Sequence, residues 1–119
     1  CKKSEKFFFF WENEKEKAFK KAEFENKKII IFFQSTNCKK CPEIQNSFEK
    51  NENIRKNSEK FIFLSVKENE KNFEEFLLDD RFSELKEKES LFIILNFSEA
   101  ILLKTENLEI LRESMDKLN

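Results

Sequence analysis

The 119-residue sequence predicts an α/β protein, a central mixed sheet flanked by helices in the order β-α-β-α-β-α-β-β-α. Three observations predict it. Ile29 to Phe33 and Phe61 to Val66 are apolar runs without polar alternation, as expected of strands covered on both faces. Helical patterns lie before, between and after these runs, which is how parallel strands are connected. Near the C-terminus, Leu91 to Phe97 and Ala100 to Lys104 are separated only by Ser98-Glu99, which predicts a hairpin.

Phe7 to Trp11 is a short aromatic run, read as a first strand or an extended segment packed on the sheet. Glu12 to Asn26 reads as a helix. Ala18, Phe19 and Ala22 form its apolar stripe, Lys and Glu fill its other face, and Asn26 is its stop. The chain contains no glycine, so left-handed backbone positions fall to Asn. Lys28 to Gln34 is a buried strand. After Cys38 the pattern turns helical, with Cys41, Ile44 and Phe48 on one stripe. Pro42 suits a first helical turn, where its missing N–H costs nothing. Asn51 to Asn57 is loop or a second helical turn, and Phe61 to Val66 is the next strand.

Glu70 to Glu89 is mostly helical, with Phe73, Phe76, Leu77, Phe82 and Leu85 inward and a break or bend at Asp79-Asp80. The last helix runs from about Asn107 to Leu118. Leu108, Leu111, Met115 and Leu118 form its stripe, and Thr105 or Asn107 caps it. No linker divides the chain, so residues 7–119 are expected to form one domain, preceded by a polar tether over residues 1–6.

Composition narrows the function. With 23 basic and 24 acidic residues the net charge is −1, so no excess of positive charge draws nucleic acid. Histidine is absent, which removes Ser/His and Cys/His nucleophiles and His-based metal sites. Apolar runs such as Phe7 to Trp11 and Ile29 to Phe33 reach five residues at most, too short to span a bilayer.

The chemistry concentrates in Cys38-Lys39-Lys40-Cys41, which follows a buried strand and the polar turn Ser35-Thr36-Asn37 and opens a helical pattern. A cysteine at a helix N-terminus feels unpaired N–H groups and the positive end of the helix dipole, and both favour thiolate. Lys39 and Lys40 add positive charge beside it. Cys38 is expected to be the exposed, more acidic thiol that attacks a disulfide, and Cys41 the resolving thiol one turn inside. Stabilising the thiolate stabilises the reduced form, so the pair is expected to be more oxidising than one with a neutral dipeptide. No further cofactor is expected beyond this redox-active disulfide. Other readings of the pair remain open: a redox-silent structural disulfide, or binding of Cu(I) or Zn, although zinc needs two further ligands.

From Trp11 to Leu118 the chain resembles the thioredoxin-like superfamily. The resemblance rests on the strand Ile29 to Phe33, the turn Gln34-Ser35-Thr36-Asn37 and the Cys38-Lys39-Lys40-Cys41 motif within this element order. Trp11, the helix with Ala18 and Ala22, and Glu25-Asn26-Lys27-Lys28 are similar to a branch with a Trp-containing N-terminal segment, which includes periplasmic disulfide reductases. The resemblance implies thiol–disulfide exchange with partner proteins, a redox partner protein and a monomeric state. It also implies a substrate loop at Glu89 and Ser90. There are three departures from the family pattern. Asn37 stands where an aromatic residue usually precedes the first cysteine. Phe32 stands where many members carry a buried acid. Glu89-Ser90-Leu91 lacks the usual cis-proline. Finally, a chain that begins Cys1-Lys2-Lys3 resembles a mature bacterial lipoprotein. Lipidation at Cys1 and an extracytoplasmic setting, periplasm or cell envelope, are the corresponding expectations.

Overall fold

The computed structural model describes residues 9–118. Readings that fall on residues 1–8, namely the tether, Cys1 and the Phe7-Phe8 part of the aromatic run, lie outside the described residues. The elements are β1 (Trp11–Glu12), α1 (Lys15–Glu25), β2 (Lys28–Gln34), α2 (Cys41–Lys50), α3 (Glu52–Asn57), β3 (Phe61–Lys67), α4 (Lys71–Leu77), β4 (Ser90–Leu95), β5 (Ile101–Thr105) and α5 (Leu108–Lys117). Short 3-10 segments follow α3 (Ser58–Lys60) and α4 (Asp80–Glu87).

The five strands form one mixed sheet in the order β1-β3-β2-β4-β5. β1 and β2 run parallel to β3, while β4 is antiparallel to both β2 and β5. The absence of alternation in Ile29 to Phe33 has a direct cause. Ile29, Ile31 and Phe33 face one apolar layer with Ala18 and Ala22 of α1, Phe73 and Phe76 of α4, and Phe82 and Leu85. Ile30 and Phe32 face the other, with Cys41 and Phe48 of α2, Ile54 of α3, and Leu111 and Met115 of α5. Two helical layers leave no solvent face on the central strand, so a polar residue there would be buried without a partner.

Several boundaries move for identifiable reasons. The first helix starts at Lys15, not Glu12, because Trp11 and Glu12 pair with Phe63 and Leu64 and are held extended. It ends at Asn26, whose φ of 56° and ψ of 45° place it in the left-handed region, and its N–H reaches back to Ala22 and Glu23 carbonyls. Beyond Asp79 the helical ladder tightens to 3-10, with the Asp79 carboxylate accepting from the Arg81 N–H. The hydrogen-bonded Arg81 guanidinium, and after it the Arg81 N–H, hold the Asp79 carboxyl below its ordinary range. β4 stops at Leu95, not Phe97, because the Asn96 side chain accepts from the N–H groups of Ser98 and Ala100 and closes the turn. α5 is capped by Asn107, whose side chain accepts from Glu109 and Ile110 N–H. Among the described residues, no helix is long and apolar enough to cross a membrane.

The Asn26 cap is testable. Asn26→Val, which puts a β-branched residue in the left-handed region, is expected to lower unfolding free energy by about 1–2 kcal/mol. Asn26→Gly is expected to match or exceed wild type in denaturant titration. Equal loss in both variants would contradict the conformational reading of this cap.

Candidate functional site

The site is built where β2 and β4 reach the same end of the sheet. Gln34, the last residue of β2, pairs with Ser90, the first of β4. The chain beyond Gln34 turns through Ser35, Thr36 and Asn37 into Cys38. The Ser35 N–H donates to the Glu89 carbonyl at 2.8 Å, the Cys38 N–H to the Ser35 carbonyl at 3.3 Å, and the Asn37 N–H to Ser35 Oγ at 3.2 Å. A further tie comes from the far end of β3. Both the N–H and the hydroxyl of Thr36 donate to Glu68 Oε1, at 2.8 and 3.0 Å.

Cys38 and Cys41 are joined as a disulfide, with Cα atoms 5.5 Å apart. Cys41 is buried, whereas Cys38 is half-buried and so the more accessible of the two sulfurs. The helix does not begin at Cys38. Pro42 has no N–H to give to the Cys38 carbonyl, so the first ladder bond is Ile44 N–H to Lys40 carbonyl, and Cys41 is the first helical residue. Cys38 therefore lies just ahead of the helix cap. The N–H groups of Lys39, Lys40, Cys41 and Glu43 have no acceptor among the described residues, which is the donor set expected at a helix start.

Behind the inner sulfur the site is apolar. Phe32 stacks on Phe92 at 4.8 Å and Phe92 on Phe48 at 5.8 Å, in the same core layer as Cys41. The Glu89 carbonyl oxygen lies 3.9 Å from Cys41 Sγ. Glu89 and Ser90 thus border the dithiol through the backbone. No cis peptide bond occurs among the described residues, so the Glu89–Ser90 link is trans. Lys39 and Lys40 are exposed and make no ion pair among the described residues. Lys88 is tied instead to Glu106 at 2.7 Å, and that hydrogen bond, with the Glu106 charge, holds its ammonium above its ordinary pKa. Among the described residues, no group of three or more Cys, Asp or Glu side chains is placed to hold a metal ion.

Two features escape sequence reasoning. Glu68 is separated from Thr36 by the whole of α2, α3 and β3, and no local pattern announces that pairing. The second is a line of side-chain hydrogen bonds along α2. Trp11 Nε1 donates to Glu49 Oε2 at 2.8 Å, Gln45 Nε2 to the same oxygen at 2.9 Å, and Gln34 Nε2 to Gln45 Oε1 at 3.1 Å. The four-residue spacing of Gln45 and Glu49 is legible in the sequence, but the Trp11 end is not. Trp11 is partly buried against the core layer, packed on Phe9, Phe32, Phe48 and Phe63, and its polar edge finds this carboxylate.

Comparison with known proteins agrees with this geometry. A family model described as thioredoxin-like matches residues 10–97. No curated protein matches the chain significantly. Among solved structures, a thioredoxin from Thermus thermophilus superposes with a TM-score of 0.71 at 13% identity, covering 92% of this chain and 86% of its own. A disulphide isomerase from Xylella fastidiosa Temecula1 gives 0.63 at 14% identity, covering 87% and 86%. The reduced C-terminal domain of DsbD from Neisseria meningitidis gives 0.58 at 14% identity, covering 87% and 93%. At these identities the likeness is one of fold.

The Glu68 tie predicts a local effect. Glu68→Ala is expected to speed amide exchange at Thr36 on the order of tenfold, the loss of one hydrogen bond to a charged acceptor, with little change at Ile31 or Phe33. Unchanged exchange at Thr36 would contradict the tie.

Proposed function

The chain belongs to the thioredoxin-like family, and from that premise we propose that it exchanges thiols and disulfides with partner proteins, Cys38 acting as nucleophile and Cys41 as resolving thiol. The observation that carries this reading is the asymmetry of the pair. One sulfur is accessible in a turn ahead of a helix start, and the other is buried on the first residue of that helix.

In the reducing direction the Cys38 thiolate attacks one sulfur of a substrate disulfide. That S–S bond breaks, the leaving sulfur departs as thiolate and takes a proton from water, and a mixed disulfide remains. Cys41 then loses its proton and attacks Cys38 Sγ. The mixed disulfide breaks, the second substrate thiol leaves, and the protein holds the Cys38–Cys41 disulfide. Two electrons have passed from protein to substrate; the oxidising direction is the reverse. The free N–H groups of Lys39, Lys40, Cys41 and Glu43, with the Lys39 and Lys40 ammoniums, favour negative charge at Cys38. At Cys41 the surroundings act the other way. Phe32 and Phe92 disfavour a thiolate by desolvation, and the Glu89 carbonyl accepts from a thiol but repels an anion. The resolving step therefore draws on the closeness of the two sulfurs, without help from a carboxylate behind Cys41.

A second reading has one observation in its favour: the aromatic wall behind Cys41 would equally suit a silent, structural disulfide on the same fold.

Alkylation of the reduced protein as a function of pH separates the two readings. Exchange predicts a Cys38 pKa below the free value of about 8.5, with Cys41 reacting slowly and only at higher pH. Cys41→Ser is expected to accumulate a mixed disulfide through Cys38 with a model protein disulfide. An unshifted Cys38 pKa together with no trapped adduct would overturn the proposal in favour of a silent pair.

A further inference from the structure

We propose that the dithiol face selects polar, acidic disulfide partners, with Lys39 and Lys40 as specificity-determining residues; this rests on the exchange reading above. The first observation is where the apolar surface lies. The large apolar side chains exposed among the described residues are Phe10, Phe24, Leu78, Phe97, Leu102 and Ile110. None belongs to the dithiol turn, to the start of α2 or to the Lys88–Leu91 stretch. Phe24, at the end of α1, and Phe97, in the β4–β5 turn, lie at the opposite end of the sheet from Cys38, because Ile29 pairs with Leu95 there while Gln34 pairs with Ser90 here.

Around the accessible sulfur, Thr36, Asn37, Lys39, Lys40, Glu43 and Glu89 face solvent, with Pro42 the one apolar side chain exposed among residues 36–43. A groove of about 480 Å³ runs beside it between α2 and α5, from Lys40 past Asn46 and Ser47 to Glu106. Ile44 and Leu108 contribute to its floor, but both are packed into the core layer under it. An unfolded apolar segment would find little to bury here.

The second observation is charge. Lys39 and Lys40 directly follow the attacking cysteine and carry no ion pair among the described residues, so both are available to a partner. The neighbouring carboxylates are differently disposed. Glu68 accepts the two Thr36 donors, Glu106 holds Lys88, and Glu43 and Glu89 oppose the lysines without an ion pair among the described residues. Lys88 is occupied by Glu106, while Lys67, which pairs with Gln34 in the sheet and lines a groove with Ser35 and Thr36, is a further cation at this end. A disulfide flanked by Asp or Glu meets two ammoniums that are not held in ion pairs among the described residues as its sulfur reaches Cys38. One flanked by Lys or Arg meets like charge at that same step. Such steering acts on encounter and is screened by salt.

The test uses the reduced wild-type chain and three synthetic peptides of equal length, each with one internal disulfide and differing only in the residues beside it: acidic, basic or apolar. Second-order exchange rates are measured at low and high salt. The acidic peptide is expected to react about fivefold faster than the basic one at low salt, the size of effect that two partly screened charges exert at contact range. That ratio is expected to collapse at high salt and in Lys39→Ser/Lys40→Ser. Because any change in Cys38 reactivity scales all three rates together, the ratio reports recognition alone. A fastest reaction with the apolar peptide, or a ratio that survives both salt and the double substitution, would overturn the proposal. Reaction with none of the three would overturn the exchange reading together with it.

Discussion

Everything at the dithiol depends on the antiparallel pairing of β2 with β4. It places Ser90 opposite Gln34, so the turn leaving one strand and the residue entering the other meet at the same sheet end. The Ser35–Glu89 hydrogen bond then extends the ladder one step beyond the strands, and the Glu89 carbonyl that accepts it also faces Cys41 Sγ. The pairing persists because β2 is buried on both faces by helices, with Phe32 stacked on its direct cross-strand partner Phe92. Each such buried aromatic contributes roughly 1.5–3 kcal/mol of apolar burial, so slippage of register is strongly disfavoured.

The same packing sets what the site lacks. A carboxylate at position 32 would have to replace a fully buried phenylalanine in a three-ring stack of Phe32, Phe92 and Phe48. Its charge would be expensive unless paired. This chain carries a continuous aromatic core layer instead and leaves the inner thiol without an acid. Rigidity and chemistry are therefore separated. The core holds Cys41 in place, and the groups proposed to tune the dithiol, helix-start N–H groups and two lysines, lie on the Cys38 side.

Much of the fold was legible in the sequence because it is written in local patterns. Lys28–Gln34 is a strand with the bounds that its unbroken run of β-branched and aromatic residues indicates, and the Ala18/Ala22 stripe, Asn26 stop, Asp79 bend and Asn107 cap each follow from a short-range rule. The displaced boundaries have two kinds of cause. Trp11-Glu12 is drawn into the sheet by β3, a tertiary effect, whereas Pro42, a local one, denies Cys38 a helical bond that the spacing alone suggests. In the site, the cysteine pair, the flanking lysines and the Glu89-Ser90 position could be named in advance. The Glu68–Thr36 tie and the Trp11–Glu49–Gln45–Gln34 line could not, because polar contacts between residues tens of positions apart leave no periodic trace.

The central claim is that the Cys38–Cys41 pair is a working redox couple and not a structural bond. Its reduction potential, measured by equilibration in glutathione buffers, tests this most directly. The account predicts a value in the range of exchange proteins, about −270 to −120 mV, displaced toward the oxidising end by the stabilised Cys38 thiolate. A potential below about −300 mV, typical of disulfides that stay closed, would contradict it.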